Sequence, residues 1–515
     1  MHVHRKLEEL LEAGSRSELE GRLLSFLTAR RWFRSKSRPA ARLSIEHAYA
    51  LAEGELAVVT VRVSFGEGGG AEDYVVPLAW VGGDAGARLA QGHPHLVVAA
   101  VTVDDDDRPR WLIDAMGEPN ALSRLLAFVG AQGQVSDGSS ALTARLLGRD
   151  PARIEGAPRP VETEQTNSSV VYGRACILKL LRKLDPGSSL ELEMGEFLAA
   201  VAFDRVPALL GAIEMNDGAE DPRTVAVVHA FAPNRGDAFG ATVARIRGWS
   251  RATSEGAETG LAFVSRIGER IAGMHRALAS RPSEERFALA PIDRVEREAL
   301  AERLTASLVR TLEIAERRAD TLPADARGLL RRCRGSVAAF SAVSARFVEL
   351  GEGSVKMRIH GDLHLGQMLV VDSAPGDPVT DPGDVLIVDF EGEPARSLAE
   401  RRAKRSPLVD VAGVLRSLDY AAMACTVAVP DALPAGPEVE SWRRRAASAL
   451  LGAYLRGAGP HLPLPEGGPA LAALMHFYLL EKCVYEMLYE MDNRPAWASV
   501  PLSGLLRLLE VRDDS

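Results

Sequence analysis

Between Lys356 and Pro394 the chain reads KMRIHGDLHLGQMLVVDSAPGDPVTDPGDVLIVDFEGEP, and this segment narrows the possible folds more than any other. Two short apolar runs, Met368 to Val371 and Val385 to Val388, flank a Pro/Gly-rich turn and predict a β-hairpin. His360-Gly361-Asp362-Leu363-His364-Leu365-Gly366-Gln367 precedes the first strand, and Asp389-Phe390-Glu391 follows the second. A hairpin returns the chain to the end where it began, so Asp362, Gln367 and Asp389 are expected to converge.

Phosphoryl transfer needs such a group: a carboxylate to orient and deprotonate an attacking hydroxyl, and oxygen ligands to hold Mg²⁺ on nucleotide phosphates. Protein kinases place a catalytic Asp and a metal-binding Asn five residues apart, then a metal-binding Asp after a hairpin. Asp362 and Gln367 have that offset, Gln offering the same amide oxygen on one more methylene, and Asp389 fills the third role. Taken singly, each reads as a capping-turn or strand-end residue; taken in order, they read as a catalytic residue (Asp362) and two metal ligands. His360 and His364 are expected to be structural, since two His without a third ligand make a weak metal site.

A cation for the phosphates is expected on an upstream strand, and Lys179 in ACILKLL supplies it. The next helix carries Glu191 and Glu193, of which Glu193 is preferred as the Lys179 partner. No G-x-G-x-x-G loop precedes this strand; Gln165, Thr166, Asn167, Ser168 and Ser169 stand in its place, with hydroxyls and amides suited to phosphates. The stretch from His229 through Phe231 to Pro233 is expected to act as the hinge whose backbone meets an adenine.

Outside this segment the pattern changes four times. Amphipathic helical spacing over residues 1–30 gives way to apolar or alternating runs from about 42 to 103, then to a helical stretch at 118–148. Strands return up to TVAVVHAF, and beyond residue 233 the chain is mostly helical. Breaks near 105 and 233 divide it into 1–105, 106–233 and 234–515, an α+β organisation. The Asp run at 104–107 reads as an acidic turn between strands rather than a cation site.

Composition excludes several classes. With 46 % apolar and 25 % charged residues and a net charge of −9, the chain has material for a large core and little attraction for nucleic acid. The charged N-terminus and the lack of a long apolar run predict no membrane partner and a cytoplasmic location, and four scattered Cys suit a reducing compartment. Only seven of the 61 basic residues are Lys, so a Lys here marks a place where a compact ammonium is preferred over a planar fork.

HGDLHLGQ together with VDFEGEPARSLAERRAKRSPLVDVAGVLRSLDYAA resembles the maltokinase branch of the aminoglycoside-phosphotransferase-like kinases. RWFRSKSR, EQTNSSVVYG, FAPNRGDAF and EKCVYEMLYEMDNRPAWASVPL extend the resemblance over nearly the whole chain. It implies a bilobal protein-kinase-like fold with an N-terminal cap subdomain, a β-rich N-lobe and a mainly helical C-lobe. It also implies Mg²⁺- and ATP-dependent phosphorylation of maltose at its anomeric hydroxyl, feeding α-glucan synthesis. A trehalose synthase partner, if there is one, is expected on a separate chain. The HGDxHxxQ and DFE elements alone also suit a kinase for another sugar or an amino sugar such as glucosamine; the remaining alternative is a non-catalytic kinase-like regulator of a trehalose-handling enzyme, against which the retention of Lys179, Asp362, Gln367 and Asp389 speaks.

The sugar pocket has its own signal. Lys482, Tyr485, Glu486, Tyr489 and Asn493 fall on one face of one helix, which offers hydroxyl partners and flat rings. The alternatives are a buried polar network bracing that helix and a solvated charged stripe. Glu391, Glu393 and Arg396, close after Asp389, are the other substrate-binding candidates; Arg396 is equally suited to pairing with Asp410 or Glu400.

Overall fold

The computed structural model describes residues 13–36, 38–52, 54–66, 69–103, 106–147, 154–161, 166–249, 254–372, 383–394, 396–427, 436–465 and 468–510. The chain forms two compact units, Met1–Ala199 with Pro207–Pro233, and Ala200–Val206 with Asn234–Ser515.

The first unit opens with α1 (Ala13–Thr28), β1 (Ala40–Ala52), β2 (Leu56–Phe65), β3 (Ala71–Gly82), α2 (Gly83–Gly92), β4 (Val97–Val103) and β5 (Asp106–Asp114). The strands form an antiparallel sheet in the order β1-β2-β3-β5-β4. β2 is apolar nearly throughout because both of its faces are covered. Val59, Val61 and Val63 pack with Leu19, Leu23, Phe26 and Trp32, while Val58 turns to a second core.

A seven-stranded sheet follows. It is built from β6 (Gln134–Ser136), β7 (Ala141–Leu146), β8 (Pro158–Pro160), β9 (Ser168–Tyr172), β10 (Cys176–Leu180), β12 (Leu209–Asn216) and β13 (Arg223–Ala230), in the order β6-β7-β12-β13-β10-β9-β8. α3 (Pro119–Gly130) precedes it and α4 (Leu190–Ala200) interrupts it. The short β11 (Lys183–Leu184) leaves this sheet and pairs with β3 of the first. Leu178, Leu180 and Tyr172 share a buried cluster with Tyr49, Val58 and Val75, so the two sheets have a common core.

Two sequence expectations change here. The helix expected over 118–148 stops at Gly130; Gln132 has a φ of 48°, a left-handed turn no helix continues through, and ALTARL alternates buried and half-buried as a strand does. The break expected near 105 falls between the paired strands β4 and β5, where Val103 pairs with Asp106, and the sheet runs on to Asp114. Residues 1–12, assigned to an amphipathic helix, lie outside the described residues.

The second unit is helical around two small ladders. It contains α5 (Ala238–Trp249), α6 (Ser254–Leu278), β14 (Ala290–Pro291), α7 (Arg294–Arg317), α8 (Ala324–Gly335), α9 (Val337–Leu350) and β15 (Val355–Lys356). Then follow β16 (Met368–Val371), β17 (Asp384–Ile387), α10 (Leu398–Arg402), α11 (Leu408–Val427), α12 (Gly436–Ala458), α13 (Gly468–Asn493) and α14 (Ser499–Glu510). Gly268 of α6 lies so close to the Leu450 carbonyl of α12 that a side chain there would collide with it. Phe347 of α9 stacks on Phe477 of α13 at 3.8 Å between centroids. Among the described residues no helix is long and apolar enough to cross a membrane. All four cysteines are free and buried.

Candidate active site

β16 and β17 pair in register from Met368 opposite Ile387 to Val371 opposite Asp384, so the residues flanking the hairpin meet at its open end. Gln367 Nε2 donates to Asp389 Oδ2 at 2.7 Å. An amide and a carboxylate in contact are hard oxygen donors of the kind Mg²⁺ takes, provided the Gln367 amide turns its oxygen inward. Asp389 has a φ of 71°, the left-handed region that Asp tolerates better than most residues.

The loop carrying Asp362 is fixed by a residue 48 positions further on. Asp410, on the first turn of α11, accepts from the backbone N–H groups of His360 and Gly361, both at 2.9 Å. His275 Nε2 lies 3.0 Å from the same carboxylate and its Nδ1 3.0 Å from Tyr454 Oη. Burial pushes the Asp410 carboxyl up, but the His275 hydrogen bond and charge, with the loop amides, bring it below its ordinary value. His360 Nε2 donates to the Val388 carbonyl at 2.9 Å, tying the loop to the end of β17. Gly413 of α11 packs against the Leu363 carbonyl, where a Cβ would collide with it. The sequence considered Asp410 only as an Arg396 partner; the signal that could have found it is its place in the SPLxDVAG run.

Lys482 of α13 reaches Asp362 at 3.2 Å and Glu393 at 2.7 Å. Burial pulls the ammonium down, but Glu393 and Asp362 outweigh it and hold its pKa above the ordinary value. Glu393 is itself buried, which raises its carboxyl, yet Lys482 and Arg396 bring it down to about 2. Arg396 pairs with Glu393 and lies 3.5 Å from Glu481, so neither Asp410 nor Glu400 is its ion-pair partner.

Beside Asp362 opens a cavity of about 410 Å³. Lys482, Tyr485, Glu486 and Tyr489 line it, as one helix face requires; Glu391 and Arg396 do not. Glu486 is held by Arg416 at 2.7 and 2.9 Å, so the bracing network and the cavity wall are the same residues. Tyr485 and Tyr489 stack at 6.3 Å, and Tyr420 and Trp497 at 6.1 Å. The sequence reading missed Tyr420, Trp497 and Arg494, which complete this wall. His364, expected to be structural, does cap the Leu365–Gln367 turn. His364 lines the cavity, burial holds its pKa down, and its Nδ1 accepts from Gly366 N at 3.0 Å, leaving Nε2 to carry the proton.

The first unit holds the other set of candidates. Lys179 Nζ lies 2.7 Å from Glu191 Oε2, so the partner is Glu191 and not the expected Glu193. The reason is helix phase: Glu191 falls on the buried first turn of α4, and Glu193, two residues on, is rotated to a half-buried face. His229 Nε2 contacts Glu191 Oε1 at 3.1 Å, so its ring braces the pair. Burial raises the Glu191 carboxyl, but Lys179 and His229 reverse this and hold it well below its ordinary value. We expect Glu191→Gln to cut ATP-dependent turnover about 10- to 100-fold in an ADP-release assay, with Glu193→Gln within about twofold.

Register separates the serines. Ser169 pairs with Lys179 and shares its face, whereas Ser168 pairs with Leu180 and faces the other way. Ser168 Oγ accepts from Arg182 Nε at 2.7 Å, which corrects its assignment to phosphate. Thr166 is half-buried and Asn167 buried just before this strand; Gln165 lies outside the described residues. The Phe231 N–H is bonded to the Ala175 carbonyl at 2.9 Å, so it is not available to an adenine as the hinge reading expected.

The family model of the maltokinase N-terminal cap domain matches residues 26–117. A glucosamine kinase of Streptacidiphilus jiangxiensis is 27 % identical over 444 residues, covering 83 % of this chain and 91 % of that protein. A glucosamine kinase of Mycolicibacterium smegmatis (strain ATCC 700084 / mc(2)155) is 30 % identical over 363 residues, covering 68 % and 79 %. A solved glucosamine kinase in complex with glucosamine, ADP and inorganic phosphate has the same fold, with a TM-score of 0.64 at 22 % identity over 94 % of this chain and 98 % of that one.

Proposed function

Because the chain belongs to the protein-kinase-like sugar kinase family of these glucosamine kinases, we propose that it transfers the γ-phosphoryl group of ATP to the anomeric hydroxyl of maltose. The product is maltose 1-phosphate. The observation that carries this reading is the cavity at Asp362, whose two stacked aromatic pairs offer flat faces to successive sugar rings and whose volume of about 410 Å³ exceeds what one hexose needs. The maltokinase-type cap supports the same substrate.

In this mechanism Asp362 accepts the proton of the anomeric hydroxyl as that hydroxyl's oxygen bonds to the γ-phosphorus. The bond from that phosphorus to the β-bridging oxygen breaks and ADP leaves. Gln367 and Asp389 are the residues we assign to Mg²⁺, which when bound neutralises charge on the phosphates. We assign Lys179, braced by Glu191 and His229, to the nucleotide phosphates, with Ser169, Asn167 and Thr166 beside it. Lys482 aligns Asp362 and borders the sugar; Tyr485, Tyr489 and Glu486 form its wall. ATP use and free thiols fit the cytoplasm, where a trehalose synthase on a separate chain would supply maltose and α-glucan synthesis would consume the product.

A second reading, an amino sugar such as glucosamine, is favoured by the relatives' names and by Glu490 and Asp237 in the cavity wall. A panel of maltose, glucose and glucosamine in one ADP-release assay separates the two. We expect kcat/KM for maltose to exceed that for glucosamine by at least about tenfold, a difference of about 1.4 kcal/mol in transition-state binding. The reverse order reassigns the substrate.

A further inference from the structure

The first unit carries a cavity of about 560 Å³ whose lining includes Asn167 and Ser169 but not Lys179. Arg30, His93 and His95 of the cap-matched segment line it together with Arg159 and Ser169 of the second sheet and Arg182. Among the described lining residues the sole acid is Asp114. Its carboxylate is already engaged, by Arg182 Nη2 at 2.6 Å and by the Met116 N–H at 3.1 Å.

Among the described lining residues no further acid offsets the remaining guanidinium charge. Arg30 donates to the carbonyls of Phe26 and His95, contacts that fix its plane without neutralising it. Arg159 is exposed and has no acid partner among the described residues. Arginine forks match phosphate oxygens two at a time, and the adjacent hydroxyls and ring N–H groups suit the same ligand. The space is larger than a phosphate ion alone requires.

We propose that this cavity binds a small phosphate-bearing organic metabolite and that its occupancy is transmitted to the β9–β10 hairpin. Arg182 is the link. It is buried, stacks on Trp32 at 4.6 Å, and holds Ser168, whose neighbour Ser169 pairs with Lys179. A ligand drawing on Arg182 competes with Ser168 for the same guanidinium, and coupling between the two sites is reciprocal.

The test uses the full chain and glucose 6-phosphate as probe, with glucose as the uncharged control, in titration calorimetry. Wild type is expected to bind the phosphate ester and not glucose. The double variant Arg30→Glu/Arg159→Glu is expected to weaken binding about tenfold or more, as loss of charge-assisted hydrogen bonds would, with turnover in the absence of probe within about twofold. Saturating probe is expected to shift the KM for ATP about threefold or more. No binding to wild type, or equal binding to the double variant, overturns the proposal. So does binding that disappears in Lys179→Met, which would place the probe with the nucleotide. Binding without any shift in KM overturns the coupling. The calorimetric arm does not depend on the kinase reading and fails or succeeds separately from it.

Discussion

Asp362→Asn is expected to lower sugar-dependent ATP turnover by about 10³-fold, within the range that a positioned general base supplies. The substitution keeps the shape and leaves an amide oxygen to accept from Lys482, 3.2 Å away in the wild type. The loop itself is held elsewhere, by Asp410 on the His360 and Gly361 amides and by the His360 bond to Val388. Thermal stability and nucleotide affinity are therefore expected to stay near wild type while chemistry fails. Single-turnover kinetics with calorimetric ATP binding on the same preparation check both halves. A loss of less than about tenfold would show that the proton leaves by another route.

Lys482→Met is expected to cost about 3–5 kcal/mol of stability, the penalty for stranding one member of a buried ion pair. Lys482 joins Asp362 to Glu393, a carboxylate 3 % exposed, and Arg396 is left as the remaining cation on Glu393. The pH dependence gives a second readout. The folded Glu393 carboxyl is brought down to about 2 from an ordinary 4.5, so its contribution, about 3 kcal/mol, is fully present above pH 4.5 and is lost as pH falls towards 2. In Lys482→Met that carboxyl moves up, and the fall in stability between pH 4.5 and 2 becomes shallower. Urea denaturation at a series of pH values measures this; parallel curves for the two proteins would mean that Lys482 does not set the Glu393 titration. Lys482→Arg keeps the charge but brings a planar fork to a place that two acids hold with one point donor.

These two residues mark what could be read from sequence and what could not. The meeting of Gln367 with Asp389 was legible because a hairpin brings near neighbours in sequence together. Lys482 was legible as a polar position on one helix face, but not as the partner of Asp362, since that contact spans 120 residues. Asp410 was passed over for the same reason. Glu191 was misassigned because α4 has apolar residues around most of its circumference, leaving no periodicity from which to fix its phase. Ser168 and Ser169 separate only once the register against Lys179 is known. The break expected near 105 falls between two paired strands because a run of aspartates looks, in one dimension, like a linker.

That boundary also bears on how such a chain can be cut or recombined. Three residues after the strand of Lys179 ends, the backbone has crossed into the other sheet as β11, and Arg182 on the way is enclosed by Trp32, Asp114 and the Val75 carbonyl. A chain shortened to remove the cap would keep that guanidinium and lose its carboxylate and its ring, and would bare the apolar face that Tyr49, Val58 and Val75 cover. The cap is thus no appendage to be gained or shed in one step; deletion of it is a deletion of half a core, and grafts between relatives have to carry it whole.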